Sequence, residues 1–397
     1  MSRRRRRLLL GLLALTAVLA ALLLLHGGRS PVPQPPRTAT SQSTTTPTAQ
    51  LQPAQPAPVS EQFGINVNRL FNDGTFTQVQ IDSQLEALAR TGAKLARTDA
   101  LWEATEPKAP VDGVHHYNWA FDDRIAGSLA DHRLAWLPII DYSAPWAQSI
   151  PGQDHSPPAS ASDYAAYAGA LAARYGAAGS FWREHPLLTA QPVSTYEIWN
   201  EPDNGEFWTP TPDAARYADL YLAARTAILA ADPDARAIVG GLTHPTSFLP
   251  ALLAARPLLR GHVDGVAVHP YGNPLVVLGK LHADRATLDG LGFSAVPLYA
   301  TEFGWTTEPA GTLNYVPAAL RPRYIATTMA DLGHLDCGIA AAVLYTWVTP
   351  EQNPGDREDW YGIHGPAGAP TAASAAFARG VHGAQSRAPT IRLCRAG

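Results

Sequence analysis

Short apolar runs alternate with helical patterns from residue 60 to residue 385. The runs are almost continuous in apolar residues, as expected of strands that are buried on both faces of a sheet. Strands that alternate with helices in this way form parallel sheets. The predicted strands are 63–66, 95–98, 134–141, 196–200, 237–240, 263–269, 298–301 and 339–347. The predicted helices are 79–90, 122–132, 163–175, 213–231, 248–255, 280–291, 323–335 and 371–381.

Eight strand–helix units without an obvious break predict a single (β/α)8 barrel over residues 60–385. A barrel of this kind takes roughly 250 residues, and more with insertions, which suits the length of this segment. An open doubly wound sheet is disfavoured, because such sheets usually have fewer strands and the glycine-rich dinucleotide fingerprint is missing from the sequence. The expected fold class is therefore α/β, with one closed parallel (TIM) barrel.

The N-terminus predicts export. Five consecutive arginines at 3–7 precede 18 residues without a charge at 8–25. This length is at the lower edge of a membrane-spanning helix, and the arginines should stay cytoplasmic, which places the rest of the chain outside the cell or on its surface. We interpret residues 1–28 as a signal anchor in preference to a cleaved signal peptide, because no good small-residue cleavage site is present. A twin-arginine signal is a further alternative.

Residues 29–59 are rich in Pro, Thr, Ser, Gln and Ala and contain almost no large apolar side chain. This composition cannot bury a core, so we predict a disordered linker that holds the barrel away from the membrane or cell wall. Residues 386–397 form a short C-terminal tail in this division of the chain. The formal net charge is −4 and no basic run follows the N-terminal arginines, which argues against nucleic acid as a partner.

The two cysteines of the chain are Cys337 and Cys394. In an oxidising compartment outside the cell, such a pair tends to form a disulfide. The bond would tie the tail to the barrel near its eighth strand. Two unpaired thiols remain the alternative, because a sequence gives no distance between them. Two cysteines at no recognisable ligand spacing do not predict a metal site.

Polar and aromatic residues follow the predicted strands at the points where the strands end. In a (β/α)8 barrel these ends meet at one rim, where the active sites of such enzymes lie. The residues are Arg97 after strand 2, Tyr142 and Trp146 after strand 3, Asn200 and Glu201 after strand 4, His269 and Tyr271 after strand 6, Glu302 and Trp305 after strand 7, and Trp347 after strand 8.

Glu201 and Glu302 are expected to face each other across the barrel mouth. Cleavage of a glycosidic bond with retention needs two carboxyl groups about 5–5.5 Å apart. One carboxyl protonates the leaving oxygen and the other attacks the anomeric carbon as an anion, so their environments must differ. Arg97 and Tyr271 could stabilise the anion of Glu302. Glu201, close to a loop that contains Trp208, is expected to carry the proton.

Two motifs carry a family resemblance. The segment Tyr196-Glu-Ile-Trp-Asn-Glu-Pro202 resembles the Asn-Glu-Pro motif of clan A glycoside hydrolases, and Thr301-Glu-Phe-Gly-Trp305 resembles their nucleophile motif. Their order and strand placement fit over residues 60–385, and the match is closest to family 39 and family 5-like members. Two features depart from these families: the chain has no room for the extra β-sandwich of family 39 xylosidases, and Tyr142 stands where family 5 often has histidine.

The resemblance implies a role for each matching residue. Glu201 would be the acid/base and Glu302 the nucleophile of a retaining mechanism. Asn200 would hydrogen-bond the 2-hydroxyl of the sugar. The remaining roles concern the rim: Arg97 and Tyr271 would support Glu302, His269 would line the rim, and Trp347 would stack under the reacting sugar.

An aromatic rim is typical of a carbohydrate cleft. Several tryptophans are further candidates for stacking, although each alone could equally pack in the core: Trp102, Trp146, Trp208, Trp305 and Trp360. The prediction is a monomeric retaining β-glycosidase that acts on an extracellular carbohydrate without a cofactor or metal, and that touches the membrane through residues 8–25 if they are not cleaved. A transglycosidase with the same residues, a carbohydrate-binding barrel without catalysis and a structural envelope protein are the alternatives.

Overall fold

A computed structural model describes residues 63–72 and 74–394 of the chain. Within these residues eight parallel strands close into a barrel, each pairing with the next and β8 pairing with β1. The strands are β1 Phe63–Asn66, β2 Leu95–Leu101, β3 Ala135–Asp141, β4 Thr195–Asn200, β5 Arg236–Leu242, β6 Val266–Val268, β7 Leu298–Phe303 and β8 Ile339–Leu344. The predicted (β/α)8 barrel is confirmed.

Helices connect the strands and cover the barrel. The α-helices are α1 Asn68–Phe71, α2 Gln78–Ala89, α3 Trp102–Thr105, α4 Ala120–Asp131, α5 Ala161–Tyr175, α6 Ser180–Glu184, α7 Ala214–Ala231, α8 Pro245–Ala255, α9 Pro274–Gly290, α10 Arg321–His334 and α11 Ala372–Ala384. Two 3₁₀ turns, Pro257–Leu259 and Arg357–Trp360, complete the connections. The short helices α1, α3 and α6 were not predicted.

Local sequence explains where the helices begin. Thr77 caps α2, because its side chain accepts a hydrogen bond from the Gln80 N–H. The side chain of Gln80 in turn accepts from the Thr77 N–H, which completes a capping box. Asn273 caps α9, and Pro274 occupies the first turn, where its missing N–H costs nothing. The predicted start of this helix at residue 280 is wrong, because the Asn273 cap begins α9 at residue 274.

Two groups of buried side chains form the core. The larger group packs helices against the outer faces of the strands. Successive side chains of a strand point to opposite faces, so the strand residues of the smaller group fill the barrel interior. This interior group consists of Leu137, Ile238, Ala267, Tyr299, Ala341 and Val343. The filled barrel is a rigid base for the side chains at the carboxyl ends of the strands.

Cys337 and Cys394 form the predicted disulfide. Cys337 lies just before β8, as the sequence indicates. Asp336 supports the same junction, because its Oδ1 accepts the backbone N–H groups of Leu393 and Cys394, both at 2.8 Å. The tail is therefore fastened to the barrel through residue 394.

Three predicted segments lie outside the described residues: the membrane or signal segment 1–28, the linker 29–59 and the last residues of the tail. A search of residues 63–72 and 74–394 finds no helix that is both long and apolar enough to cross a membrane.

Candidate active site

A cavity of about 640 Å³ opens at the carboxyl ends of the strands. Both predicted catalytic glutamates line it. Four of the predicted binding residues line it as well: Asn200, Tyr142, His269 and Tyr271. The predicted rim is thus confirmed as the place where these side chains meet.

The end of β4 holds Glu201 in an unusual backbone conformation. Trp199 and Glu201 have φ angles of 66° and 45°, in the left-handed region that residues other than glycine seldom adopt. The indole of Trp199 donates to the Phe207 carbonyl at 2.7 Å, which fixes the turn. Gly240 on β5 is needed beside it, because a Cβ there would lie 2.0 Å from the Trp199 carbonyl oxygen. Packing on both sides maintains this strain, as is common at functional sites.

Glu302 is surrounded by donors. Arg97 donates from Nη1 to Oε1 of Glu302 at 2.5 Å, and the Tyr271 hydroxyl donates to Oε2 at 2.8 Å. His269 Nδ1 lies 3.7 Å from Oε2. Burial alone would raise the pKa of Glu302, but the charges of His269 and Arg97 and the two hydrogen bonds outweigh it and lower that pKa. Glu302 is therefore held as an anion.

Glu201 has different neighbours. Nδ1 of His269 lies 2.7 Å from its Oε1, and the Asn204 side-chain amide donates to its Oε2 at 2.7 Å. A carboxylate oxygen of Glu201, one of Glu302 and a ring nitrogen of His269 all lie within 4.8 Å of one another. The imidazole thus links the two carboxyl groups. Residue 241 must be a glycine beside this imidazole, because a Cβ there would lie 2.0 Å from Nε2 of His269.

Arg97 is fully buried and does not reach the cavity. A direct contact of Arg97 with substrate is therefore not expected, whereas its predicted support of Glu302 agrees with its hydrogen bond to that carboxylate. The Nε and Nη2 atoms of Arg97 donate to the two carboxylate oxygens of Glu197 at 2.8 and 3.0 Å. Nη2 also donates to Asn200 Oδ1 at 3.1 Å. Glu197 in turn accepts the Gly241 N–H at 2.9 Å. Glu197 is therefore a structural carboxylate.

Asn200 is held between two polar groups. Its Oδ1 accepts from Arg97, and its Nδ2 donates to the Tyr142 hydroxyl at 3.1 Å. Both Asn200 and Tyr142 line the cavity, beside Glu201. The site therefore presents an oriented amide and a phenol hydroxyl to any ligand that reaches the glutamates.

The predicted tryptophans do not form the rim. None of the six candidate tryptophans lines the cavity, and four of them show the reason: Trp347, Trp305, Trp208 and Trp146. Trp347 and Trp208 are each 1% exposed and Trp305 is 3% exposed, so they pack in the core. Trp146 is half-buried and donates to the Glu106 carbonyl at 2.8 Å. Because all four indoles serve packing, the predicted sugar contacts of these residues are wrong.

Trp347 shows why the prediction failed. β8 ends at Leu344, so the chain has already left the barrel wall at Trp347. Its indole stacks on His364 at 4.6 Å and donates to Gln84 at 2.7 Å, on the side of α2. Tyr345 lines the cavity instead, and its hydroxyl donates to Glu358 at 3.0 Å.

Other cavity residues lie on β2 or in loops that no strand pattern marks. Asp99, at the cavity side of β2, accepts from the side chains of Asn68, at 2.8 Å, and Asn72. Burial raises the pKa of Asp99 to about 6, against the lowering effect of Arg97. Further residues that were not predicted come from the loops after β4, β5, β7 and β8: Asn204, Phe207, Thr243, His244, Leu313, Asn314, Asp356, Arg357, Glu358 and Tyr361.

Two groups of side chains in residues 63–72 and 74–394 have the spacing of metal ligands. One is Glu201, His269 and Glu302, in which His269 is hydrogen-bonded to Glu201 while Glu302 accepts from Arg97 and Tyr271. The other includes Cys337 and Cys394, whose sulfurs form the disulfide. Internal bonding therefore accounts for both groups.

No family model and no curated protein matches the chain. Solved structures resemble it: the GH39 enzyme of Xanthomonas axonopodis pv. citri has a TM-score of 0.62 and 20% identity, covering 81% of this chain and 66% of that one. A monomeric β-xylosidase of Caulobacter crescentus has a TM-score of 0.61 and 19% identity, covering 81% of this chain and 68% of that one. GH5_18 of Bifidobacterium longum subsp. longum has a TM-score of 0.60 and 13% identity, covering 84% of this chain and 81% of that one.

At these identities the likeness establishes the fold. The chain spans about two-thirds of the length of the Xanthomonas protein, with 66% of it covered. The neighbours are glycoside hydrolases of families 39 and 5, which agrees with the resemblance and the enzyme class that the two glutamate motifs predict.

Proposed function

We propose that the protein is a retaining glycoside hydrolase that cleaves β-linked O-glycosides, with Glu302 as nucleophile and Glu201 as general acid/base. One observation carries the proposal: carboxylate oxygens of Glu201 and Glu302 lie within 4.8 Å of each other in a cavity at the barrel mouth. This spacing suits direct attack on a sugar between them, whereas inverting enzymes leave room for a water with groups about 6.5–9.5 Å apart.

The first step forms a covalent intermediate. An oxygen of Glu302 attacks the anomeric carbon, the bond to the leaving oxygen breaks, and the proton of Glu201 passes to that oxygen. Arg97 and Tyr271 hold the Glu302 anion in position for the attack. His269 Nδ1, 2.7 Å from Glu201 Oε1, is close enough to share a proton with the acid.

The second step releases the sugar. Glu201, now ionised, takes a proton from a water, the water oxygen attacks the anomeric carbon from the side of the departed group, and the bond to Glu302 breaks. Asn200 lines the cavity next to Glu201, where its amide can bind the 2-hydroxyl of the sugar. Two inversions at the same carbon leave the β configuration unchanged.

The sugar and linkage are proposed only as a class. Solved neighbours include β-xylosidases and β-1,4-galactanases. They support a β-linked substrate, which we assign here to an extracellular poly- or oligosaccharide. The arginine run and the apolar segment 8–25 support display outside the cell. Protease added to intact producing cells should digest the barrel, and protection until lysis would contradict that location.

The activity is tested by screening the purified protein against aryl β-glycosides and β-linked polysaccharides. Glu302→Ala should abolish sugar release, because the nucleophile is lost. Glu103→Ala is the matched control, since Glu103 is an exposed glutamate on α3 outside the cavity. Release that survives Glu302→Ala would refute the mechanism. Binding of a glycan without release by the unchanged protein would favour a carbohydrate-binding barrel.

A further inference from the structure

The cavity has a side on which the leaving group must lie. In the proposed mechanism Glu201 protonates the leaving oxygen, so the departing group occupies the space beside Glu201 and not the space above Glu302. The loop after β4 borders that space, because its Asn204 donates to Glu201 Oε2 at 2.7 Å, and the loop after β5 is bonded to it through Thr243 and Asp203. Their cavity-lining residues are Asn204, Glu206, Phe207, Thr243 and His244.

Phe207 is the apolar ring in this set. It is half-buried and lies six residues after Glu201, in the same loop. Its ring is stacked with Tyr142 at 6.2 Å and an interplanar angle of 17°, and His155 lies 5.2 Å from it. A phenyl ring offers no hydrogen bond, so its contribution to binding must come from apolar contact.

The loop is fastened so that the ring is held in place before a ligand binds. The carbonyl of Phe207 accepts the Trp199 indole N–H at 2.7 Å, and its N–H donates to the Asn204 carbonyl at 3.0 Å. Trp208, the next residue, is buried in the core. His155 Nδ1 lies 2.8 Å from the Glu206 carbonyl oxygen. Binding on a ring fixed in this way requires little further ordering of side chains.

Other aromatic rings of the cavity are engaged in polar bonds. Tyr271 donates to Glu302, Tyr345 donates to Glu358, and Tyr142 accepts from Asn200. Phe207 has no such partner to serve, and it combines three properties: an apolar face, partial exposure to the cavity and a position in the loop of the acid. These properties suit the face of a sugar or aryl ring.

We propose that Phe207 forms a stacking platform for the leaving group, so that the preferred substrates are glycosides whose aglycone is a ring, a second sugar or an aryl group. The inference rests on the proposed function and adds a binding subsite to it. By microscopic reversibility, the same platform binds a ring-bearing acceptor that attacks the covalent intermediate.

The test compares two kinds of substrate that share one sugar and differ in the leaving group. A β-glycosyl fluoride has no ring to stack, whereas the matching 4-nitrophenyl β-glycoside and β-linked disaccharide do; xylose and glucose are the first sugars to use. Phe207→Ala should lower kcat/KM for the ring-bearing substrates roughly tenfold, mainly through KM, which corresponds to about 1.4 kcal/mol. For the fluoride, kcat/KM should stay within about twofold.

Two further variants separate stacking from bulk. Phe207→Leu keeps apolar volume without a flat ring and should behave like Phe207→Ala, while Phe207→Tyr should restore the preference for ring-bearing substrates. Phe121→Ala is the matched control, because Phe121 is a partly buried phenylalanine on α4 that does not line the cavity. It should leave the ratio of the two kcat/KM values unchanged.

The outcomes distinguish the two proposals. If the unchanged protein turns over neither the fluorides nor the ring-bearing glycosides, the proposed function fails. If it turns over both, and Phe207→Leu lowers kcat/KM equally for both or for neither, the platform is refuted while the proposed function stands. A selective loss for ring-bearing substrates in Phe207→Leu, restored in Phe207→Tyr, supports the platform.

Discussion

The two halves of the candidate site hold their glutamates by different means. Glu302 receives a bond from the guanidinium of Arg97 and another from the Tyr271 hydroxyl. Glu201 is bound by a histidine ring and by the neutral amide of Asn204. The two side chains are 10% and 12% exposed, so exposure does not distinguish them. The difference lies in the charge and proton content of the partners.

This difference supports the two proposed roles. A permanent cation that is itself buried keeps a carboxylate ionised, which suits a nucleophile. An imidazole that can hold or release a proton suits a group that must change protonation state twice in each turnover. The two halves also differ in their place in the fold: Arg97 and Glu302 lie on β2 and β7, whereas Asn204 and Phe207 of the Glu201 half lie in the loop after β4.

The largest expected effect is the loss of activity in Glu201→Ala, and its size should depend on the leaving group of the substrate. Glu201→Ala should lower kcat/KM for a disaccharide by roughly 10²–10⁴-fold, because that leaving oxygen needs a proton. A β-glycosyl fluoride, whose leaving group needs far less protonation, should be affected much less. Steady-state kinetics on both substrates measure the contrast.

Azide sharpens the same comparison through stereochemistry. Added to Glu201→Ala with an activated β-glycoside, azide should replace the water of the second step and yield the β-glycosyl azide. Added to Glu302→Ala, it should attack once and yield the α-glycosyl azide. NMR of the products reads the configuration at the anomeric carbon. The opposite pattern would exchange the two roles.

The next effect concerns stability. Arg97→Met should lower the free energy of unfolding by roughly 3–5 kcal/mol, because it leaves the buried carboxylates of Glu197 and Glu302 without their cation. Urea denaturation measures it. Arg256→Ala is the control: its ion pair with Asp219 is exposed to water and its loss should change the unfolding free energy little. Equal effects of the two variants would contradict a special role for the buried pair.

Much of the Glu302 half could be predicted because the barrel imposes it. Eight strand–helix units bring all strand ends to one rim, so residues that directly follow a strand must converge. Glu302, His269 and Tyr271 were found in this way and meet in the cavity. Arg97 was also found, but the sequence could not tell that burial turns it away from the substrate.

The loops and the aromatic residues could not be predicted in the same way. Alternation of side chains holds only while a strand continues, and β8 ends three residues before Trp347. Beyond Leu344 the direction of each ring depends on tertiary contacts, which place Trp347 against His364 and leave Tyr345 at the cavity. Phe207 and Asn204 lie in the loop after β4, where no periodic pattern distinguishes a cavity residue from a solvated one.

A smaller effect tests the electrostatics of Glu302 by pH. Glu302 has a lowered pKa, so activity that needs its anion persists above that pKa and is lost as the pH falls through it. Tyr271→Phe removes one donor to the anion and should raise the pKa. The acidic limb of the kcat/KM profile should then move to higher pH by roughly 1–2 units. Tyr196→Phe, a buried tyrosine whose hydroxyl faces the Val193 carbonyl, should leave the limb in place.

The smallest expected effect concerns the support of Glu201. Asn204→Ala removes the amide that donates to Glu201 Oε2 and should lower kcat for a disaccharide about fivefold, the effect of one ordinary hydrogen bond. For the fluoride, kcat/KM should change little, because its leaving group needs little protonation in the first step. Asn204 acts on a reacting group and Phe207 on a bound ring, so the first variant should change kcat and the second KM. If both variants change only KM, Asn204 orders the loop and does not position the acid. Of the two hydrogen-bond partners of Glu201, His269 alone would then position it.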